Sequence, residues 1–161
     1  SRAVASSAAS KPAGRTQPRP PDRHAAPPAP APVPASVAPS VPVTAGTRLI
    51  ARLEQAYRQG SADAIAALFT KSARTSDGAG RSLIRTQYAR LFRDVTAQRL
   101  VITNMSWQTT TRSRLKGSGR FRVSTKAGDS TEWRTSDGRI DIEIVRVGTD
   151  FRISSMLYRL N

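Results

Sequence analysis

Apolar and polar residues alternate most regularly near the C-terminal end of the chain. Between positions 140 and 144, isoleucine occupies every second position, and Asp141 and Glu143 stand between the isoleucines. A period of two predicts a β-strand with one buried face. Residues 147–150 interrupt the pattern with glycine and aspartate, which predicts a turn. Residues 139–160 are therefore predicted to form a hairpin of two long strands.

The second strand of this hairpin continues the same period. The alternation divides its apolar residues between two faces, with Phe151, Ile153 and Leu157 on one and Met156 and Tyr158 on the other. A sheet with an apolar face needs a covering layer, which the helical patterns upstream can supply.

Three upstream stretches carry apolar residues at helical spacing. The first helix is predicted to begin at a capping Thr44 or Thr47 and to end at Gly60. The second is predicted to follow a cap at Ser61, and the third to span residues 81–94. Their apolar faces are Leu49, Ile50, Leu53 and Tyr57; Ile65, Leu68 and Phe69; and Ile84, Tyr88, Leu91 and Phe92.

After the third helix the apolar period returns to two. A strand is predicted over residues 100–111, followed by a hairpin turn at residues 116–119 and a return strand. A further short strand is predicted over residues 131–135, around Trp133, ending at a turn signal in residues 136–138. Helices followed by an antiparallel meander predict an α+β fold.

Proline is confined to one end of the chain. All 11 prolines lie between Pro12 and Pro42. Proline fixes φ and removes a backbone donor, so we expect residues 1–43 to be a disordered Pro/Ala-rich linker and residues 44–161 to be the folded domain. PxxP-like spacings also allow a role as an SH3-type ligand, although they arise freely in any Pro-rich spacer. Such a spacer suits a domain held at a bacterial envelope in the periplasm, with the cytoplasm as the alternative.

The charge and the residue types narrow the function classes. The chain carries 26 Lys and Arg against 11 Asp and Glu, a net charge of +15. Such a charge favours anionic partners, while the simpler alternative is an Arg-rich solvated surface. The lack of cysteine excludes disulfides, thiolate metal sites and a Cys nucleophile. The sequence shows no metal-ligand spacing, no phosphate-binding loop and no transmembrane segment, so it predicts neither a metal nor a cofactor.

Several local motifs together resemble one known family. The stretch from Ala56 to Ala64, followed by Ala67-Leu68-Phe69, resembles the helix-turn-helix opening of nuclear transport factor 2-like (SnoaL-like) domains. Gly80 with Ile84, Tyr88, Leu91 and Phe92 resembles the third helix of these domains. Gly138-Arg139-Ile140, with Phe151-Arg152-Ile153 and Tyr158, resembles their closing hairpin. The resemblance covers residues 44–161. It implies a cone of three helices in a curved sheet, with a pocket at its open end, in members that are isomerases, dehydratases, cyclases, hydrolases or binding proteins.

Catalytic residues are sparse in the domain. The one histidine, His24, lies in the linker, so a His-Asp pair is impossible in the fold. An isomerase-type site needs a buried carboxylate and a phenol donor. Asp141 and Glu143 are weak candidates, because most other acids stand at caps or turns, where they have structural reasons to be. The alternative is that both acids face outward and pair with arginines such as Arg152.

Two further sets of residues are candidate binding groups. Aromatic residues on predicted apolar faces form either plain core or the lining of a ligand pocket for a small flat or apolar molecule: Tyr57, Tyr88, Phe92, Trp107, Trp133 and Tyr158. Cations around the predicted hairpin turn share one parity and form either a solvated face or a docking surface for an anionic polymer or a protein: Arg112, Arg114, Lys116, Arg120 and Arg122.

These patterns lead to one hypothesis with two alternatives. The domain is predicted to be a non-catalytic binding or assembly module on a flexible tether, forming a homo-oligomer such as a dimer through its exposed sheet face. The first alternative is a small-molecule isomerase or hydrolase that uses a pocket carboxylate. The second is an anionic-polymer-binding protein that uses the basic hairpin.

Overall fold

The computed structural model describes Gly14, residues 28–32 and residues 39–161. Most of the predicted linker, residues 1–43, therefore lies outside the described residues. Within residues 39–161 the helices are α1 (Val43–Arg58), α2 (Ala62–Ala67) and α3 (Arg81–Asp94). The strands are β1 (Phe69–Thr75), β2 (Gly78–Ala79), β3 (Val95–Thr111), β4 (Arg114–Ala127), β5 (Arg134–Val147) and β6 (Asp150–Leu160).

The strands of residues 39–161 form one mixed sheet in the order β2-β1-β6-β5-β4-β3. Strands β3 to β6 follow one another as an antiparallel meander. Strand β1 joins its edge by pairing parallel to β6. The sheet is curved and unclosed, with the helices packed on one face. The predicted α+β fold is confirmed, with one parallel pair that the sequence pattern did not indicate.

Helix α1 follows its apolar pattern, whereas the prediction that Phe69 belongs to the second helix is wrong, because α2 ends at Ala67 and Phe69 begins β1. Leu49, Ile50, Leu53 and Tyr57 are buried, so α1 turns its predicted face to the core. Ser61 caps α2 by accepting a hydrogen bond from the Ala64 amide at 3.2 Å, as predicted. The predicted threonine cap of α1 is wrong. Pro42 precedes the helix, and Thr47 lies inside it, where its hydroxyl donates to the Val43 carbonyl.

The turn predicted at residues 116–119 is wrong. The chain reverses at Arg112-Ser113, and Gly117 and Gly119 lie inside β4. The reason is spatial, because a Cβ atom on Gly117 would lie 2.5 Å from the Trp107 ring. Glycine is present here to admit a bulky neighbour, and its turn propensity plays no part.

The short strand predicted around Trp133 is also wrong. Strand β5 begins at Arg134 and runs through the turn signal at residues 136–138. Gly138 is again a packing glycine, because an added Cβ would lie 2.5 Å from the Phe121 ring. Trp133 lies in the loop before the strand and is 50% exposed.

A bulge in β6 reverses the predicted faces of its apolar residues. Ile144 pairs with Ile153, whereas Glu143 pairs with Ser155, so Ser154 is an extra residue in the ladder. The extra residue shifts the alternation by one position. Ile153 and Met156 are therefore both buried, while Leu157 is 47% exposed on the outer face. The prediction that Ile153 and Leu157 share a face is wrong.

Trp107 joins helix α1 to the sheet. Its ring lies between two glycines, Gly46 on α1 and Gly117 on β4, and a Cβ atom on Gly46 would lie 2.8 Å from the ring. We expect Gly46→Ala to lower the free energy of unfolding by about 1–3 kcal/mol through overpacking, despite the ~1 kcal/mol that alanine adds in helix propensity. Urea denaturation measures the change.

The matched control for this substitution is Gly128→Ala, because an added Cβ at Gly128 meets nothing within 4 Å. Combining Gly46→Ala with Trp107→Phe should recover part of the loss, since the smaller ring relieves the clash. Strictly additive effects of the two substitutions would contradict direct packing of the Trp107 ring against Gly46.

Helix α1 is also bound to β3 by a side chain. The Ile102 amide donates a hydrogen bond to Glu54 Oε1 at 2.6 Å. We expect Glu54→Ala to cost about 1–3 kcal/mol, because it leaves a partly buried N–H without a partner. Glu54→Gln keeps an acceptor at this position and should cost less. Thermal unfolding of the two variants tests the ranking, and equal losses would argue against the bond.

Candidate functional site

A cavity of about 380 Å³ opens between helices α1 and α3 and the inner face of the sheet. Its walls are mostly apolar. The residues that line it are Tyr57, Thr75, Asp77, Gln87, Tyr88, Leu91, Leu100, Phe121, Val123, Ser136, Ile140, Met156, Tyr158 and Leu160. We call this cavity the inner pocket. Such a concave apolar site with a few polar groups is the usual form of a small-molecule site.

One wall of the inner pocket is an aromatic cluster. The Tyr57 ring meets the Tyr88 and Phe92 rings edge-on, with centroids 6.1 and 5.3 Å away. On the sheet side, the Phe121 and Tyr158 rings make a further edge-on contact at 5.9 Å. Edge-to-face contacts hold rings in defined orientations. The phenol groups are therefore carried on rigid walls of the pocket.

Asp77 is the single acidic residue lining the inner pocket within the described part of the chain. It lies in the turn between β1 and β2, and its carboxylate accepts a hydrogen bond from the Tyr158 hydroxyl. Gln87 on α3 donates to the Asp77 carbonyl at 3.1 Å. The Asp77 amide donates to Thr75 Oγ1 at 3.3 Å. Asp77 is thus held from the helix, the sheet and its own turn.

The turn itself is fastened to strand β6. Ser76 Oγ donates to the Tyr158 carbonyl at 3.1 Å and lies 2.8 Å from the Tyr158 amide, which donates to it. These bonds join two parts of the chain 82 residues apart in sequence. Two bonds between the Ser76 hydroxyl and the Tyr158 backbone, and one between the Tyr158 phenol and the Asp77 carboxylate, therefore connect the same two segments and fix Asp77 relative to that phenol.

The phenols of the inner pocket resist ionisation. Burial raises the pKa of Tyr57 to about 12. Burial raises the pKa of Tyr88 well above its ordinary range, with a smaller contribution from neighbouring groups. The pKa of Tyr158 is likewise raised, first by desolvation and then by its hydrogen bond to Asp77. At neutral pH all three hydroxyls are protonated, so each can donate a hydrogen bond.

The aromatic residues singled out from the sequence divide into three groups. Tyr57, Tyr88 and Tyr158 line the inner pocket. Phe92 packs behind Tyr57 as part of its wall. Trp107 and Trp133 lie elsewhere, because Trp107 fills the space between α1 and β4 and Trp133 lies in a loop at the outer face.

Asp141 and Glu143 lie on the outer face of the sheet, away from the inner pocket. They alternate with Ile140, Ile142 and Ile144, which are buried, so the acids must point outward. Asp141 accepts a hydrogen bond from the Ser118 hydroxyl at 2.5 Å. Glu143 accepts from Arg114 at 2.7 Å and from Ser154 at 2.9 Å, with Lys116 at 3.9 Å. Arg152 pairs instead with Asp150.

The basic residues singled out from the sequence also lie on the outer side. Arg114, Lys116, Arg120 and Arg122 occupy alternate positions of one strand, β4, and are exposed. Arg112 lies in the turn that precedes it. Four of these cations share a face because one uninterrupted strand carries them. The sequence had instead divided them between the two arms of a hairpin.

Asp77 is the functional candidate that sequence reasoning missed. The Ser-Asp-Gly signal at residues 76–78 explained it as a turn residue, and it does lie in a turn. Its position beside Tyr158 depends on pairing between segments far apart in sequence. The available signal was the parity of Tyr158, which follows Met156 onto the inner face.

Two further features bear on function. Within residues 39–161 and the other described positions, no group of three or more His, Cys, Asp or Glu residues could hold a metal ion. None of the helices in this part of the chain is long and apolar enough to cross a membrane.

Comparison with known proteins shows the fold. No protein-family model and no curated protein matches the chain. Its structure is similar to a candidate scytalone dehydratase from Novosphingobium aromaticivorans, with a TM-score of 0.69 and 11% identity over 74% of this chain and 83% of that one. It is also similar to a type 2 hexachlorocyclohexane dehydrochlorinase (LinA), with a TM-score of 0.66 and 11% identity over 74% of this chain and 84% of that one. A third similar structure is a nuclear transport factor 2-like superfamily protein from Salmonella enterica, with a TM-score of 0.64 and 14% identity over 73% of this chain and 89% of that one.

These similarities confirm the resemblance at the level of fold, which is the nuclear transport factor 2-like fold. They also contradict the interpretation of the domain as a non-catalytic module, because the similar structures are mostly named as enzymes. That interpretation rested on the lack of acid–base groups in the cone. It overlooked Asp77, which lines the inner pocket beside a phenol.

A spectroscopic titration tests the description of the pocket. The chain has three tyrosines, and all of them line it. We expect little phenolate to form near pH 10, because the pKa of each folded-state phenol is raised. The folded state holds these protons more tightly than the unfolded state. The free energy of unfolding is therefore unaffected below about pH 10 and falls as the pH rises above it.

Near-ultraviolet absorbance against pH measures the phenolate, and urea-unfolded protein, in which ordinary tyrosine ionisation is expected, is the control. Complete ionisation of the folded protein around pH 10 would mean that the phenols are solvated.

Proposed function

We propose that this chain, whose fold is that of nuclear transport factor 2-like proteins, is an enzyme that moves a proton on a small apolar carbonyl compound. The observation that carries the proposal is the position of Asp77 at an apolar pocket walled by three phenols. A carboxylate can serve as the base and neutral phenols as hydrogen-bond donors. The proposed reaction class is isomerisation by proton transfer between two carbon atoms.

Asp77 is the proposed general base. Its carboxylate would remove a proton from the carbon next to the substrate carbonyl, and the electron pair of that C–H bond would form the enolate. Returning the same proton to a more distant carbon moves the double bond and regenerates the carboxylate. The step consumes no other reactant.

The phenols are proposed to stabilise the enolate oxygen. Negative charge develops on this oxygen in the transition state, and preorganised donors in an apolar site stabilise it strongly. The raised pKa of Tyr57 and of Tyr88 keeps both hydroxyls protonated at neutral pH. Tyr158 is proposed as a positioning residue, because its hydroxyl donates to the carboxylate of Asp77.

The comparisons support this class of chemistry without assigning a substrate. Two of the similar proteins are named as a candidate dehydratase and a dehydrochlorinase. Elimination of water or of hydrogen chloride from adjacent carbons also requires loss of a proton from carbon. A base beside a small apolar pocket serves both reactions, while the phenol donors favour a substrate with an oxygen that gains charge.

Exchange of carbon-bound protons tests the proposal directly. Cyclic ketones and β,γ-unsaturated ketones are incubated with the enzyme in D₂O, and deuterium uptake or double-bond migration is followed by NMR. We expect Asp77→Asn to lower the rate by about 10²-fold or more, because general-base catalysis contributes about 10²–10⁴-fold. Tyr158→Phe should have a smaller effect, since the base remains.

Asp141→Asn is the matched control, because it removes a carboxylate from the outer face of the same sheet. Ketone binding, measured by calorimetry, separates loss of the pocket from loss of the base. Asp77→Asn protein that is folded, binds the ketone and exchanges protons at the wild-type rate would contradict the role of Asp77. Ketones that bind without any exchange above the enzyme-free rate would contradict the reaction class.

A further inference from the structure

A row of arginines crosses the outer face of the sheet. Arg120 on β4 stands directly opposite Arg139 on β5, and Arg139 stands directly opposite Arg159 on β6. All three are exposed. None of them forms an ion pair with any residue in the described part of the chain. Facing cross-strand side chains have Cβ atoms about 4.5–5.5 Å apart, so three like charges are held close together.

A depression of about 600 Å³ lies beside this row, on the same outer face. Arg99, Arg120 and Arg122 contribute its cations, and Asp137 is its one acidic side chain. Arg122 Nε donates to Asp137 at 2.7 Å, so that acid is already paired. Thr103 and Asn104 supply neutral polar groups. We call the cationic set Arg99, Arg120, Arg122, Arg139 and Arg159 the arginine groove.

An exposed aromatic ring stands at one end of the arginine groove. Trp133 lines a smaller depression of about 230 Å³ together with Arg99, Ser124 and Thr135. Arg99 and Ser124 also line the larger depression, so the two depressions adjoin each other. Ser124 and Thr135 lie between them and share a hydrogen bond at 3.0 Å. Trp133 is 50% exposed, an unusual degree of exposure for a tryptophan.

The charge balance of this surface points to an anionic occupant. Five guanidinium groups stand on this face against the carboxylates of Asp137 and Asp141, and like charges directly opposite one another destabilise a sheet. A bound anion would remove that repulsion. A second copy of the same face would increase it. Guanidinium groups suit phosphate in particular, because their planar fork donates two parallel hydrogen bonds.

We propose that the arginine groove and Trp133 bind single-stranded nucleic acid without sequence preference. The groove accepts phosphates, and the exposed indole provides a platform on which a base stacks. Charged tracks with aromatic platforms are the general means of binding single strands. A sunken surface accommodates a flexible strand, whereas a lipid surface would require a flat or protruding face. This site lies on the opposite face of the sheet from the inner pocket and does not depend on its chemistry.

The test is fluorescence anisotropy of the full chain with a labelled oligothymidylate of about 16 nucleotides. We expect the variant with Arg120→Gln, Arg139→Gln and Arg159→Gln to reduce the slope of log affinity against log salt by about 2, since each phosphate contact on a single strand contributes roughly 0.7. Trp133→Ala should weaken binding by about five-fold or more through lost stacking. Binding should also quench the fluorescence of Trp133, which Trp133→Phe removes.

The matched control removes the same charge from the helical side. Arg48, Arg52 and Arg90 are exposed on α1 and α3, and replacing all three with glutamine lowers the net charge equally. We expect this variant to retain most of the wild-type affinity. Removing the facing arginines should leave the melting temperature unchanged or raise it, so loss of binding in that variant would not reflect unfolding.

Three outcomes would overturn the proposal. Equal loss of affinity in the two triple variants would mean that binding follows net charge and not the groove. Unchanged affinity in Trp133→Ala would contradict the role of Trp133 as a stacking platform. Heparin binding as tight as that of the oligonucleotide, with no effect of Trp133, would assign the groove to a sulfated polysaccharide.

Discussion

The contact between Trp107 and two glycines sets the distance between helix and sheet in this domain. Gly46 on α1 and Gly117 on β4 each leave room for one side of the indole ring. Any larger residue at either glycine would push the helix away from the sheet or displace the ring. Because α1 is held this closely at its beginning, its last turn brings Tyr57 over the sheet. The inner pocket exists in the space that this arrangement leaves open.

The inner pocket combines an apolar wall with one fixed carboxylate. Asp77 would be an ordinary turn residue if its turn were free. The bonds between Ser76 and the backbone of Tyr158 tie that turn to β6, and the phenol of Tyr158 donates to the carboxylate. Gln87 adds a third support from α3. A base held from three directions loses little entropy when a substrate binds, which is what preorganised catalysis requires.

One sheet separates two kinds of surface chemistry. The inner face carries the phenols, whose pKa values are raised by burial, and Asp77 lines the same pocket from an exposed turn. The outer face carries arginines in register across neighbouring strands, where water screens their repulsion. Period-two alternation makes this separation possible, because adjacent residues of one strand serve opposite faces. The two proposed sites can therefore be altered independently by substitutions one residue apart, as at Ile140 and Arg139.

The sequence by itself determined the elements whose information is local. Helical spacing and the Ser61 cap predicted three helices, of which α3 spans Arg81–Asp94 as expected and α2 is shorter than expected. Alternation around Ile142 predicted which side of β5 is buried. These predictions succeeded because burial of an apolar face decides both periodicity and structure. The same alternation indicated that Asp141 and the isoleucines face opposite sides of the sheet. The structure places the isoleucines in the core.

Only the tertiary structure decided what the glycines and the turn aspartate do. Gly117 and Gly138 read as turn residues locally, yet both lie in strands because Trp107 and Phe121 pack against them from elsewhere in the chain. The bulge at Ser154 reversed the faces beyond Ile153, an effect of strand register that no local pattern records. Asp77 became a pocket residue through a bond to a tyrosine 81 positions away. Contacts between distant segments carry this information, because each segment alone is compatible with a simpler structure.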